Sequence, residues 1–241
     1  FISKDGEWHR EGLVEEPHRA LQDADVVWNA LHGSYGEDGQ VQRVLEGLQI
    51  PFTGSSAVAS ALSMDKHMAK SLYRRYSLLT PEHKLIREDD EDSEDKLITI
   101  FRNYLHPVII KPVNASGSLG VREARTFNEL KQVVKDTFSY SPRVMVEEFI
   151  RGDEVSCVVI EGAKEERIYA LLPSSKSAKF KTEENKSVEE IAKKAHEILG
   201  LRHYSSSDFI ITPRKKIYIL ETNSLPVLHE GSLAHSSLQT T

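Results

Sequence analysis

SSSDFIITPRKKIYILETN, residues 205–223, carries the clearest structural signal in the chain. Two runs of strand formers, Ser207–Ile211 and Ile217–Glu221, flank a turn that contains Pro213. Folded back as a hairpin, the stretch lays Asp208 beside Glu221. Glu221 and Asn223 are two residues apart, so on a strand they share one face. Three oxygen-bearing side chains meeting there suit Mg²⁺ (or Mn²⁺), a hard cation that also takes phosphate oxygens. By spacing alone, a polar strand end facing water fits the same residues.

Upstream, VIIKP (108–112) predicts a strand whose last side chains include Lys111, followed by the small-residue loop NASGSLGV. A lysine there can hold a phosphate while loop N–H groups cradle it. It can equally extend its ammonium into water. Lys66, in MDKHMAK, is expected on a helix and, by residue type, on the surface. RVMVEEFI and DEVSCVVIEG predict strands Val144–Phe149 and Glu154–Ile160, read as a hairpin across Arg151–Gly152. They carry Glu147, Glu148 and Glu154, carboxylates suited to ribose hydroxyls or to solvent. Cys157, alone in an apolar strand, reads as core packing.

Toward the N-terminus, ADVVWNAL and IPFTG predict buried parallel strands around the helical QVQRVLEGL, a β-loop-α-β unit of an open sheet. Residues 56–76 predict two helices, EHKLI a strand, and KLITIFRNYL, TFNELKQVVKDTF and SVEEIAKKAHEIL further helices. RIYALLP predicts another strand. Residues 88–95, EDDEDSED, are acidic at seven of eight positions and read as a solvated loop or helix start. The fold class is thus α/β and α+β. Residues 1–62 form a partial N-terminal open parallel α/β domain, 63–145 a central lobe and 146–241 a C-terminal lobe. A nucleotide between the two lobes is the natural arrangement.

Composition narrows the function classes. The chain has 241 residues, 31 Lys+Arg against 37 Asp+Glu, and a net charge of −6. Its pI of about 6.0 argues against an electrostatic nucleic-acid binder. No run approaches the ~18 apolar residues of a membrane span, and FISKDGEWHR has no secretory h-region. One cysteine makes no internal disulfide. GxxxxGK[ST], GxSxG and HExxH are all absent, as is GxGxxG after a strand. About two dozen polar residues precede the first good strand, so the start is expected to be incomplete.

Taken in order, HGSYGEDG, GSSAVASALSMDK, VIIKP with its Gly/Ser loop, VEEFIRGDE, DF and ETNSLP resemble the D-alanine–D-alanine ligases of the ATP-grasp superfamily. The resemblance runs from about Asp25 to Leu233. It implies a two-lobed ATP-binding body. It also implies ATP- and Mg²⁺-dependent joining of two D-alanines through an acyl-phosphate, for peptidoglycan precursors, in the cytoplasm. It suggests a homodimer, and no nucleic-acid or membrane partner is expected. Carried over, Lys66 and Lys111 are phosphate-binding lysines, and Glu147 with Glu148 lies in the adenine-contacting segment. Glu154 is the ribose-binding glutamate and Lys179 the lysine of a mobile loop over ATP. Asp208, Glu221 and Asn223 are the Mg²⁺ ligands. His32 and Glu37 fall near the first substrate and Ser232 near the second substrate's carboxylate.

The resemblance also marks departures. The family's oxyanion-stabilising arginine is Ser206 here, and a glycine near the tetrahedral intermediate is Val227. The active-site serine aligns with Gly117, flanked by Ser116 and Ser118, of which Ser118 is the candidate catalytic serine. The tyrosine after the loop lysine is Phe180, the segment 173–183 is short, and the family's N-terminal substrate strand is not seen. Impaired ligation is therefore expected. The rivals are a degenerate ATP-binding protein and another ATP-grasp carboxylate–amine ligase.

Overall fold

The computed structural model describes residues 2–3, 6–175, 182–227, 229–230 and 232–239. The polar opening forms a hairpin that the sequence did not announce, β1 (Trp8–Arg10) with β2 (Leu13–Glu15). Its turn is carried by Glu11 and Gly12, both at positive φ. Helices α1 (Pro17–Ala20) and α2 (Gln40–Gly47) follow, and Trp8, Val41 and Leu45 make a small core. The two parallel strands expected here shrink to one bridge, Val27 with Phe52. The parallel sense holds, since Val27 N–H donates to Pro51 O and Thr53 N–H to Val27 O. Val26 and Trp28 stay 61% and 69% exposed, with no sheet neighbour among the described residues to extend the pairing.

The expected helix pair is α3 (Ala57–Met64) and α4 (Lys66–Arg75). Asp65 separates them and caps α4, its carboxylate accepting from Met68 N–H. Next come β3 (His83–Arg87), α5 (Ser93–Asn103), β4 (Val108–Pro112), β5 (Arg122–Ala124), α6 (Phe127–Thr137) and β6 (Arg143–Glu148). Thr126 and Glu129 close a capping box at the start of α6. The acidic run becomes the turn before α5 and its first residues, as expected, with Lys96 paired to Asp90 and Asp92. The chain continues through β7 (Asp153–Glu161), β8 (Ile168–Ala170), α7 (Thr182–Ile198), β9 (Tyr204–Ile211), β10 (Ile217–Asn223) and α8 (Leu233–Gln239). Among the described residues, no helix is long and apolar enough to cross a membrane.

Two antiparallel four-stranded sheets carry the body, ordered β3-β6-β4-β5 and β10-β9-β7-β8. Ile86, Leu97, Ile100, Val108, Leu130 and Val146 bury one face of the first sheet under α5 and α6. Ala69, Tyr73, Cys157, Ala192, Phe209 and Ile219 pack α4 and α7 on the second. Each five-to-nine-residue strand alternates inward and outward side chains, which is why one face meets helices and the other lines a cleft.

The hairpin expected across Arg151–Gly152 does not form. Both edges of β6 are already taken, by β3 and β4, so β7 has no free ladder to join. The chain crosses instead to the other sheet. Beside this crossover Glu148 N–H donates to Glu82 O, and Glu82 N–H donates to Glu148 Oε1. The two connections between the lobes thus run side by side. α3 and α4 pack with the second sheet, and residue 145 lies inside β6.

Gly152 sits where the crossover grazes β9. A Cβ there would lie 2.3 Å from Ile211 O, a backbone atom that cannot step aside. Gly152→Ala should lower stability by about 1–3 kcal/mol in urea unfolding. Gly47→Ala meets nothing within 4 Å in α2 and should be neutral or stabilising by up to ~1 kcal/mol. Equal effects would show that the close approach does not constrain the crossover.

Candidate active site

A cleft of about 490 Å³ lies between the sheets. Lys66, Lys111, Ser118, Glu147, Glu148, Glu154, Asp208 and Glu221 all line it, joined by apolar Ile109, Phe149, Ile150, Val155 and Phe209. Eight of the thirteen residues singled out from sequence therefore meet in one place. The strands explain why. Lys111 and Glu147 project from neighbouring β4 and β6, and Asp208 pairs with Glu221 across β9 and β10. A register shift between Ile219 and Glu221 sets that pairing.

The lysines are not surface charges. Lys66 is 7% and Lys111 6% exposed. Lys66 Nζ lies 3.1 Å from Glu221 Oε2 and also donates to Ala115 O at the start of the small-residue loop. Lys111 Nζ lies 2.8 Å from Glu147 Oε2, and Lys70 Nζ 2.9 Å from Glu147 Oε1. Burial opposes ionisation of Glu147, but Lys111 and Lys70 outweigh it and hold the carboxyl at about 2. Removing one partner of such a buried pair typically costs ~3–5 kcal/mol.

Asp208 and Glu221 crowd one another. Burial first, then the Glu221 charge, pushes Asp208 up to about 7, against a hydrogen bond from Ser156. Glu221 moves the other way: burial is outweighed by Lys66 and Lys111, which keep it ionised. Two neighbouring carboxylates on the wall of the cleft are a hard-oxygen donor set whose repulsion Mg²⁺ would relieve. No cluster of three or more His, Cys, Asp or Glu suited to a metal exists among the described residues, so further ligands would come from Asn223 and bound phosphate. Asn223 itself stands opposite Ser206, outside the cleft lining.

The loop over the lysines is shaped by left-handed residues. Gly117, Ser118 and Gly120 have φ of 65°, 60° and 74°. Consecutive residues of this kind turn N–H groups toward one side, a cradle for anions. Arg143 braces the loop's start, 2.7 Å from Asp65 Oδ2 and 3.1 Å from Asn114 Oδ1.

Other expected site residues lie elsewhere. His32 Nδ1 sits 3.1 Å from the buried Glu37 carboxylate, in the N-terminal piece. Ser232 accepts from His235 N–H ahead of α8. None of the three lines the cleft. Lys179 and Phe180 lie outside the described residues. Ser206, buried on β9, shares the Asp208 face of the strand. Sequence reasoning missed Lys70, Thr80, Ser156, Arg122 and Arg143. The signal for Lys70 was present, since it follows Lys66 by four residues on one helix face.

Comparison with known proteins agrees with this geometry. The family description "D-ala D-ala ligase N-terminus" matches residues 2–55, and "D-ala D-ala ligase C-terminus" matches 72–173 and 173–241. The D-alanine–D-alanine ligase of Aquifex aeolicus is 33% identical over 224 residues, 87% of this chain and 75% of that protein. That of Leptospira interrogans is 34% identical over 236 residues, 88% and 67% of the two chains. Among solved structures, the Coxiella burnetii D-alanine–D-alanine ligase superposes with a TM-score of 0.82 at 25% identity, over 99% of this chain and 66% of that one. The Bacillus anthracis enzyme complexed with ATP gives 0.77 at 27% identity, over 92% and 74%. The chain thus spans two thirds to three quarters of these proteins.

The buried carboxylate makes a pH prediction. Glu147 is held below its ordinary value of 4.5, so its ionised form contributes stability above pH 4.5 and loses it as pH falls toward 2. The stability gap between the parent and Glu147→Gln should be largest near pH 6. It should close progressively below pH 4.5 in urea unfolding. A gap that stays constant down to pH 2 would mean the ion pairs hold nothing together.

Proposed function

Because the chain belongs to the D-alanine–D-alanine ligase family, within the ATP-grasp fold, we propose that its cleft binds ATP and that the chain joins two D-alanines. The observation that carries the reading is the meeting of Lys66 and Lys111 with Asp208 and Glu221 on one cleft. Phosphates next to buried ammonium groups, with carboxylates for a cation beyond, form the arrangement that phosphoryl transfer requires. Apolar Phe149, Ile150 and Phe209 offer adenine a dry surface, and Glu154 offers ribose a carboxylate.

In this reading the γ-phosphoryl group of ATP passes to a carboxylate oxygen of the first D-alanine, giving ADP and an acyl-phosphate. The amino group of the second D-alanine attacks that carbonyl, loses a proton and expels phosphate, leaving the dipeptide. Lys66 and Lys111 neutralise phosphate charge, and the 114–121 loop covers it. Mg²⁺ (or Mn²⁺), held by Asp208, Glu221 and Asn223, would supply further charge neutralisation. His32 and Glu37 are assigned to the first substrate, Ser118 and Ser232 to the second half of the reaction, and Lys179 to closure over ATP. The same reading puts the chain in the cytoplasm, where ATP and D-alanine meet, as a homodimer making peptidoglycan precursors.

Turnover should be slow. Ser206 supplies no cation where charge develops on the tetrahedral oxygen, and one missing donor of this kind typically costs ~10²–10³ in rate. Two outcomes test the reading. Lys111→Ala should weaken ATP binding about 10- to 100-fold in calorimetry, the cost of losing a charged phosphate contact. Ser206→Arg should raise D-alanine-dependent phosphate release by ~10-fold or more. Unchanged ATP affinity in the first variant removes the lysine from the site. A parent chain as fast as Ser206→Arg removes the deficit assigned to Ser206.

A further inference from the structure

Lys70 stands one helical turn beyond Lys66 and never reaches the cleft lining. It is fully buried behind it. Its Nζ donates to Thr80 Oγ1 at 2.8 Å and pairs with Glu147 Oε1 at 2.9 Å. Thr80 in turn donates to Ile219 O of β10 at 2.8 Å. The other Glu147 oxygen takes Lys111 at 2.8 Å. From the interior outward the charges run ammonium, carboxylate, ammonium, and the last one faces the cleft.

We propose that Lys70 is a positioning residue for ATP: by occupying one oxygen of Glu147, it keeps the charge of Lys111 available to phosphate and fixes where that ammonium stands. The inference rests on the ATP reading of the cleft. With Lys70 present the trio carries one net positive charge. Without it, Glu147 and Lys111 form a neutral pair, and Lys111 turns from a phosphate ligand into a counterion. Burial draws Lys70 down to about 8, yet at neutral pH it remains protonated, because Glu147 opposes the burial. Nearby Lys111 pushes the same way as burial, while Glu221 assists Glu147. A purely structural lysine would need only one anion and a hydroxyl. Sharing that anion with a second lysine at the cleft wall is what ties Lys70 to ligand binding.

The same trio explains why a lysine is tolerated at a position with no solvent. Its ammonium has two direct partners, Glu147 and Thr80, and Thr80 is itself anchored to β10. A carboxylate with two ammonium neighbours stays ionised at any neutral pH, so the charge order does not depend on the ligand being present.

The test uses the full chain with Lys70→Met and with Lys70→Gln. ATP affinity is read by calorimetry, KM and kcat by D-alanine-dependent phosphate release, and folding by urea unfolding. Both variants should weaken ATP binding and raise KM for ATP on the order of 10-fold, with kcat moving far less. Lys70→Gln keeps hydrogen-bonding groups for Glu147 and Thr80 without the charge, so it answers the question where Lys70→Met does not fold. A folded variant of either kind that binds ATP as tightly as the parent overturns the proposal. So does a fall in kcat with KM for ATP unchanged. A parent that binds no ATP overturns the reading of the cleft instead, before any variant is compared.

Discussion

A carboxylate stays ionised inside a protein only where cations come to it, and Glu147 is met by two. That requirement organises the cleft. One cation arrives from β4, in the same sheet as Glu147, and the other from α4, a helix packed on the opposite sheet. The pair of contacts therefore spans the junction of the lobes and sets how the two sheets face each other. Thr80 and Ile219 extend the link into β10, the strand that carries Glu221. From there Lys66 closes the circuit, touching both Glu221 and the loop at Ala115. Positive and negative groups are thus fixed before any ligand enters, and preorganised charge of this kind is what phosphoryl chemistry needs.

Much of this arrangement could be read in the sequence. Val108–Lys111, the Asp208–Glu221 pairing and the break at Asp65 follow from local patterns: a β-branched run, a turn with Pro213, a capping aspartate. The β6–β7 hairpin was misread because two strands around a glycine look alike whether the chain turns back or crosses over. What decides is whether β6 has a free edge, and its edges are filled by residues far away in sequence. The N-terminal strands were overread for a related reason. Val26, Val27 and Trp28 have strand propensity, but pairing needs neighbours, and among the described residues only Phe52 forms a bridge with them. Residue type places Lys66 at the surface, where lysine usually lies, and burial by distant partners leaves no mark on residue type.

The site divides along the same line. Lys111 sits on β4, and Asp208 and Glu221 sit on β9 and β10, strands whose register the two sheets set, so their positions could be inferred from spacing. Residues assigned to the amino-acid substrates come from other parts of the chain: His32 and Glu37 from the N-terminal piece, Ser232 from the segment before α8. No local pattern brings them together, and none of the three lines the cleft. Ser206 shares the Asp208 face of β9 and, in the proposed reading, supplies no cation to the reacting carbonyl. The proposed reading therefore expects the ATP half of the chemistry to be better supplied than the ligation half.

The central claim is that this cleft couples ATP cleavage to dipeptide formation. Incubating the chain with ATP, Mg²⁺ and labelled D-alanine, and counting D-alanyl-D-alanine against phosphate over hours, tests it directly. The account requires one dipeptide for each phosphate released in response to D-alanine, however slow the reaction. ATP bound or hydrolysed with no dipeptide formed would contradict it, and would leave a nucleotide-binding protein on a ligase fold.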